Sequence, residues 1–225
     1  MMQILARLEL IESSGFDLNS IDHFAVNTTE KSFQRETLER LGIPGQKVIQ
    51  TQINPYIEAE TMIVPSVSLP CPSPKSINFL RRKFLVQEQK IPSRIYISRR
   101  DSSRRRLLNE DEVIELLAEF GFRSYLLESM SVLQQASLLS SAQVVISPHG
   151  AGLTNIIFCN PGSKIVEIFS PQYVKNFYHI LSNMFNLEYF YLVGEEIDKS
   201  SGVIHQDTIV NIQKLKSLIE QFQIC

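Results

Sequence analysis

The sequence predicts an α/β protein built on a parallel sheet, and three observations carry the prediction. Its second half alternates short apolar runs with segments of helical periodicity. The runs are nearly continuous in apolar residues rather than alternating, as strands covered on both faces require. The connections between them are short, as in βαβ units. The candidate strands are 94–98 (RIYIS), 123–127 (RSYLL), 143–147 (QVVIS), 164–169 (KIVEIF) and 189–193 (YFYLV). Two intervening helices carry start signals: Asn109 with Glu112, and Ser131 with Gln134, each at capping-box spacing before an apolar run. Gly121 supplies a stop for the first. A last helix after Asp207 repeats Ile209, Ile212, Ile219 and Phe222, which leaves one apolar face to pack on the sheet or on a neighbouring domain. These elements make a Rossmann-like domain.

The first half supplies fewer elements: a helix over 1–14, a strand over 23–27, a helix over 30–41 ending at Gly42, and strands over 48–51 and 61–64. An α/β unit ordinarily opens on a strand, so a chain opening on an amphipathic helix is expected to have its first strand upstream of Met1. Residues 64–74 hold four prolines and three serines, which suits an extended linker. The expected division is 1–74 and 75–225.

Composition narrows the function. The apolar fraction of 44% over 225 residues is ordinary for a protein with a core. Cys71, Cys159 and Cys225 are odd in number and lack metal-ligand spacing, so neither a disulfide framework nor a zinc site is expected. The N-terminus carries Arg7, Glu9 and Glu12 within its apolar pattern, unlike a signal peptide. No apolar stretch approaches the roughly 20 residues that span a bilayer. The expectation is a soluble, cytoplasmic protein, with peripheral membrane attachment left open. Net charge is only −2, yet Lys75–Arg106 holds eleven of the 22 Lys and Arg residues against Glu88 and Asp101. Either an anion binds there or the run is a solvated basic face. Nucleic acid is disfavoured, since aromatic-basic interleaving and a recognition-helix pattern are both missing.

Ligands of parallel sheets bind at the carboxyl ends of the strands. After 143–147 the chain reads Pro148-His149-Gly150-Ala151-Gly152-Leu153-Thr154-Asn155. Gly150 and Gly152 clear side chains from a backbone that could approach a phosphate, and the following residues could open a helix whose free N–H groups favour an anion. The competing reading is a plain tight turn. Strand 94–98 runs into Arg99, Arg100, Arg104, Arg105 and Arg106, whose planar forks match phosphate oxygens. Arg99 and Arg106 are the preferred ligands, with the rest exposed or paired with 110–112. Glu167 interrupts an apolar strand, where an ionised carboxylate needs a partner; a ribose diol on the one hand, and a neighbouring arginine or a place at the surface on the other, account for it equally well. His149 is either a donor to a phosphate or leaving-group oxygen or a satisfied turn residue, while His23, His179 and His205 read as structural.

With those residues in place, the run RIYISRR…RRRLLNEDEV…SAQVVISPHGAGLTNIIFCNPGSKIVEIFSP resembles the C-terminal half of glycosyltransferase family 61 over 94–171, with a looser likeness upstream in LARLELIESSG, FQRETLERLGI and EAETMIVPS. The resemblance implies a GT-B architecture, two Rossmann-like domains facing across a cleft, with the N-terminal one incomplete here. It implies an inverting, metal-independent transfer from a uridine-diphosphate sugar to a glycan or other hydroxyl acceptor, in a setting such as capsular or other surface polysaccharide synthesis. No D-x-D triplet occurs in the chain. The implied roles are His149, Gly150, Ala151, Gly152, Thr154 and Asn155 around the diphosphate, Arg99 and Arg106 against its charge, and Glu167 on the ribose. No cofactor beyond the donor is implied, and no general base can be assigned, because the acceptor-facing segment of the family is not matched. A non-catalytic nucleotide-sugar module, or a truncated enzyme acting with a partner transferase, is the alternative. A dinucleotide enzyme is disfavoured by the missing third glycine of G-x-G-x-x-G.

Overall fold

The computed structural model describes residues 2–66, 73–85, 94–196 and 207–222. The chain forms two compact units: 1–86 with 131–134, and 87–130 with 135–225. Cys71, Cys225, Glu88 and His205, and most of the proline-rich stretch, lie outside the described residues.

In the N-terminal unit, α1 (Met2–Ser13), β1 (Phe24–Val26), α2 (Ser32–Arg40) and β2 (Val48–Gln50) fall where the sequence puts them. Gly42 ends α2 at φ +80, a conformation that a side chain would strain. β1 and β2 pair in parallel. The strand expected over 61–64 does not form: Met62 and Val64 are 64% and 73% exposed, and no ladder reaches them. An additional helix, α3 (Pro74–Phe84), packs on α1. Ser73 caps it by accepting from Ser76 N–H at 3.1 Å, and Pro74 occupies the first turn, where its missing N–H costs nothing. Ile77, Phe79, Leu80 and Phe84 are buried on this helix, Leu5, Leu8 and Ile11 on α1.

The second unit is a five-stranded sheet of β3 (Arg94–Ile97), β4 (Arg123–Tyr125), β5 (Val144–Pro148), β6 (Lys164–Phe169) and β7 (Glu188–Val193). Every pairing is parallel and the order is β4-β3-β5-β6-β7. Counted from β3, that is the doubly wound order 2-1-3-4-5, whose direction reverses between β3 and β5. The crossovers carry α4 (Glu110–Glu119), α5 (Val132–Ser140), a 3-10 helix (Ala151–Phe158) and α6 (Phe177–Met184). Ser131 and Gln134 form the expected reciprocal cap at 2.8 and 3.2 Å. Asn109 does not cap α4. Its amide instead spans the backbone of Val210, donating at 2.9 Å and accepting at 3.0 Å. Gly121 takes φ +75 at the end of α4, as expected.

A short antiparallel pair, β8 (Glu195–Glu196) with β9 (Thr208–Ile209), precedes α7 (Ile212–Glu220). Leu215, Ile219 and Phe222 join Tyr96, Val113, Leu117, Ile146 and Val166 in one buried cluster, so the last helix packs on its own sheet. Among the described residues no helix is long and apolar enough to cross a membrane.

Candidate active site

The strand order reverses between β3 and β5, and ligands of such sheets bind outside the carboxyl ends of the strands at that point. The loop after β3 delivers Arg99 and Arg105 there; the loop after β5 delivers His149 and Gly150. Glu110, buried at the start of α4, fixes the first loop by accepting from Arg99 N–H at 3.2 Å and from the Tyr96 hydroxyl at 2.8 Å. Burial, then that carboxylate, holds Tyr96 above the usual phenol range, so it remains a donor.

Arg99 donates from Nη2 to Ser102 Oγ at 2.7 Å and to the Arg104 carbonyl at 3.3 Å. Its Nη1 lies over Gly150, where a Cβ would sit 1.7 Å from it. Gly150 is extended (φ 177), so its conformation suits any residue and the close guanidinium alone demands glycine. Gly152 also differs from expectation, because a Cβ there would meet Leu127 and Ile97 at 3.2 and 3.4 Å in the protein interior. Of the remaining turn residues, Ala151 is exposed, Thr154 Oγ1 lies 3.4 Å from the Tyr178 hydroxyl, and the Asn155 amide donates to Gln135 Oε1 at 2.9 Å and to the Gly152 carbonyl at 3.2 Å. Asn155 thus braces the turn. Tyr178 does the same from α6, donating to the Gly150 carbonyl at 2.7 Å.

Arg106 is not brought to this rim. It is half exposed and turned to Asp207, with Nε and Nη2 donating to the carboxylate at 3.1 and 2.7 Å and its N–H at 2.9 Å. The charge that does reach the rim comes from Arg105, which the sequence does not single out. Arg105 has φ +53, and its guanidinium lies 4.7 Å from the centre of the Tyr173 ring. Burial, then the positive charge of Arg105, lowers Arg99 from its ordinary value. The Nε atoms of both arginines are buried without a hydrogen-bond partner. Such unanswered donors are costly, and the cost falls on holding both guanidinium groups in place.

Glu167 is fully buried, and its carboxylate is closed to a ribose. One oxygen contacts His149 Nδ1; the other accepts from the Tyr189 hydroxyl at 2.5 Å. The buried acid of β6 therefore has protein partners, a histidine and a tyrosine rather than the arginine that the sequence allowed. His149 stacks on Phe169 with centroids 5.3 Å apart and meets Tyr173 and Tyr178 at 5.3 and 5.6 Å. No sequence spacing announces these tyrosines. Elsewhere, a cavity of about 570 Å³ in the N-terminal unit is lined by Phe16, Arg40 and Lys83. Its cations are already engaged, Lys83 with Glu12 at 3.4 Å and Arg40 with the Lys83 carbonyl at 3.0 Å. The unanswered charge lies at the switch point of the large sheet. Among the described residues no group of three or more His, Cys, Asp or Glu is placed to hold a metal ion.

A doubly wound sheet with an arginine-lined rim at its switch point defines the class, a Rossmann-like domain with a candidate anion site. A model of glycosyltransferase 61 matches residues 1–166, and the chain belongs to that family of glycosyltransferases. It is similar to the beta-1,2-xylosyltransferase RCN11 of Oryza sativa subsp. japonica, 32% identical over 92 residues, which is 37% of this chain and 17% of that protein. Beta-1,2-xylosyltransferase XAX1 of the same organism is 37% identical over 111 residues, 47% of this chain and 19% of the relative. Protein O-linked-mannose beta-1,4-N-acetylglucosaminyltransferase 2 of Takifugu rubripes is 31% identical over 114 residues, with the same 47% and 19% coverage. The aligned part of the chain thus spans less than a fifth of each of these relatives.

Proposed function

We propose that the second unit binds the diphosphate of a nucleotide-sugar donor, uridine diphosphate carrying the sugar, and that the protein transfers that sugar to a glycan or other hydroxyl acceptor. The observation that carries this reading is the pair of arginines, Arg99 and Arg105, held in the loop after β3 at the switch point with no carboxylate paired to either among the described residues. A diphosphate supplies the acceptors and negative charge that the pair lacks, through charge-assisted hydrogen bonds. In the reaction, the acceptor oxygen attacks the anomeric carbon from the face opposite the diphosphate, whose bond to that carbon breaks with inversion. The electron pair passes to the diphosphate oxygen, and fixed guanidinium groups stabilise it there. Two arginines provide charge that a metal provides in other transferases, so the proposed transfer needs none. A GT-B arrangement and a role in surface polysaccharide synthesis belong to the same proposal, as does a general base supplied from outside the rim.

Calorimetric titration of the chain with uridine diphosphate tests this. Saturable binding is expected, weakened about tenfold or more by Arg99→Ala and by Arg105→Ala, the scale of one charged hydrogen bond. Absence of binding at millimolar nucleotide overturns the reading.

A further inference from the structure

We infer that Glu167 is a positioning residue, which with Tyr189 fixes His149 so that imidazole Nε2 is the atom presented to the leaving diphosphate. The inference rests on the reading of the rim as a diphosphate site. It gives Glu167 a role different from that of a nucleotide ligand.

An ionised carboxylate only accepts hydrogen bonds, so the contact between Glu167 and His149 Nδ1 assigns the proton to Nδ1. The second carboxylate oxygen is held by the Tyr189 hydroxyl at 2.5 Å. Burial, then this bond, raises the Tyr189 phenol above its ordinary range, which keeps it a donor. Glu167 is fully buried, so neither of its two bonds is exchanged for water. The ring itself is clamped by stacking on Phe169, by an edge contact with Tyr173 and by the tilted ring of Tyr178, and its backbone N–H donates to the Ile168 carbonyl at 2.7 Å. Nε2 carries no hydrogen bond to the described residues. The titratable groups in contact with the ring are Glu167 from β6, Tyr178 from α6 and Tyr173 from the loop before it; behind them Tyr189 bonds Glu167, Arg105 lies over Tyr173, and Arg99 and Arg105 act on Tyr178. Binding of the anion is accompanied by uptake of one proton from solvent, so both ring nitrogens carry protons: Nδ1–H donates to Glu167 and Nε2–H to a diphosphate oxygen. As the bond from the anomeric carbon to the diphosphate breaks, its electron pair moves to that oxygen and strengthens the Nε2–H contact. No proton is transferred by His149, and the acceptor's proton leaves to a separate base.

Glu167→Gln makes the idea testable. Tyr189 donates to whatever oxygen faces it, so the glutamine carbonyl takes that side and the amide NH₂ is forced toward Nδ1. Nδ1 must then accept, which excludes the doubly protonated ring. The experiment is ring-nitrogen NMR of the full chain at pH 7, titrated with uridine diphosphate, with His149 assigned by the signal lost in His149→Gln. Bound wild type is expected to show both nitrogens protonated. Glu167→Gln is expected to show a neutral ring protonated at Nε2 and to bind nucleotide about tenfold or more weakly. A doubly protonated ring in the bound variant, or affinity within twofold of wild type, overturns the inference. Should Glu167→Gln fail to fold, the wild-type spectrum decides alone, because a singly protonated His149 in the nucleotide complex refutes it. Wild type that binds neither uridine diphosphate nor pyrophosphate overturns the diphosphate reading and this inference together. Wild type that binds with a singly protonated ring sinks only this one.

Discussion

Gly150→Ala separates binding from stability in a way the geometry makes quantitative. The new Cβ would lie 1.7 Å from Arg99 Nη1 and 2.6 Å from Cζ, so the guanidinium must leave its place. The backbone has no reason to object, because Gly150 is extended. The group displaced is the end of a flexible side chain, which swings toward water. It gives up hydrogen bonds to Ser102 Oγ and the Arg104 carbonyl, each worth about 0.5–1.5 kcal/mol once the exchange with water is counted. The stability loss should be about 1–3 kcal/mol, at roughly 2–4 °C of melting temperature per kcal/mol for a domain of this size. Donor binding should lose the whole Arg99 contribution, about 1.5–3 kcal/mol or roughly 10–150-fold in Kd. Calorimetry on Gly150→Ala, Arg99→Ala and the double variant measures both quantities. The double variant should bind no worse than Arg99→Ala, since both changes remove one interaction. Additive losses, or a Gly150→Ala protein that binds nucleotide like wild type, would refute the claim that this glycine exists to seat Arg99.

Two further outcomes concern the framework around the rim. Burial alone would raise the Asp207 carboxyl, but hydrogen bonds from Arg106 and its charge bring it below the ordinary value of 3.8. The pair therefore stabilises the fold above that pH and stops doing so as pH falls through the lower folded value; melting curves from pH 6 to pH 3 should show Asp207→Asn with a shallower acid loss than wild type, and equal slopes would contradict it. Gly194→Ala places a Cβ 2.4 Å from Thr208 Oγ1 and 2.8 Å from the Ile209 carbonyl, where backbone must yield. It should cost about 1–3 kcal/mol of stability, read by urea unfolding, and a loss under 0.5 kcal/mol would show that β9 moves freely.

Most of the large sheet is legible from local chemistry, because strands covered on both faces need apolar residues throughout and the chain supplies them in β3, β5 and β6. Helix starts are legible only when the cap is local. Ser131 and Gln134 close on each other, whereas Asn109 satisfies the backbone of Val210, 101 residues away, a choice that no window around Asn109 contains. The helix at Pro74 had a local signal, a capping serine followed by proline, obscured by the prolines before it. The apolar segment 61–64 shows the opposite failure: strand propensity without a partner forms no ladder.

The site divides along the same line. Composition registers charge, and only the fold registers pairing. Within the basic run, Lys75 meets Glu9, Lys83 meets Glu12, Arg100 meets Asp111 and Arg106 meets Asp207. The last three are the ordinary surface pairs that a charge run usually contains, and Lys75 answers a buried Glu9. No carboxylate pairs with Arg99 or Arg105 among the described residues. Spacing could not choose Arg105 from three consecutive arginines, because the choice is made by its positive φ, which turns it onto Tyr173 while Arg106 turns to Asp207. Glu167 was conspicuous for the right reason, a buried acid needing partners, but those partners come from the strand's own sheet neighbours: β5 continues into His149, and β7 carries Tyr189. Glu167 stands in register with Ser147 on β5, two residues before His149, and with Tyr191 on β7, two residues after Tyr189, so both partners are diagonal neighbours in the sheet. The same register that brings two cations and a histidine to one rim therefore also supplies the buried anion that holds the histidine in place.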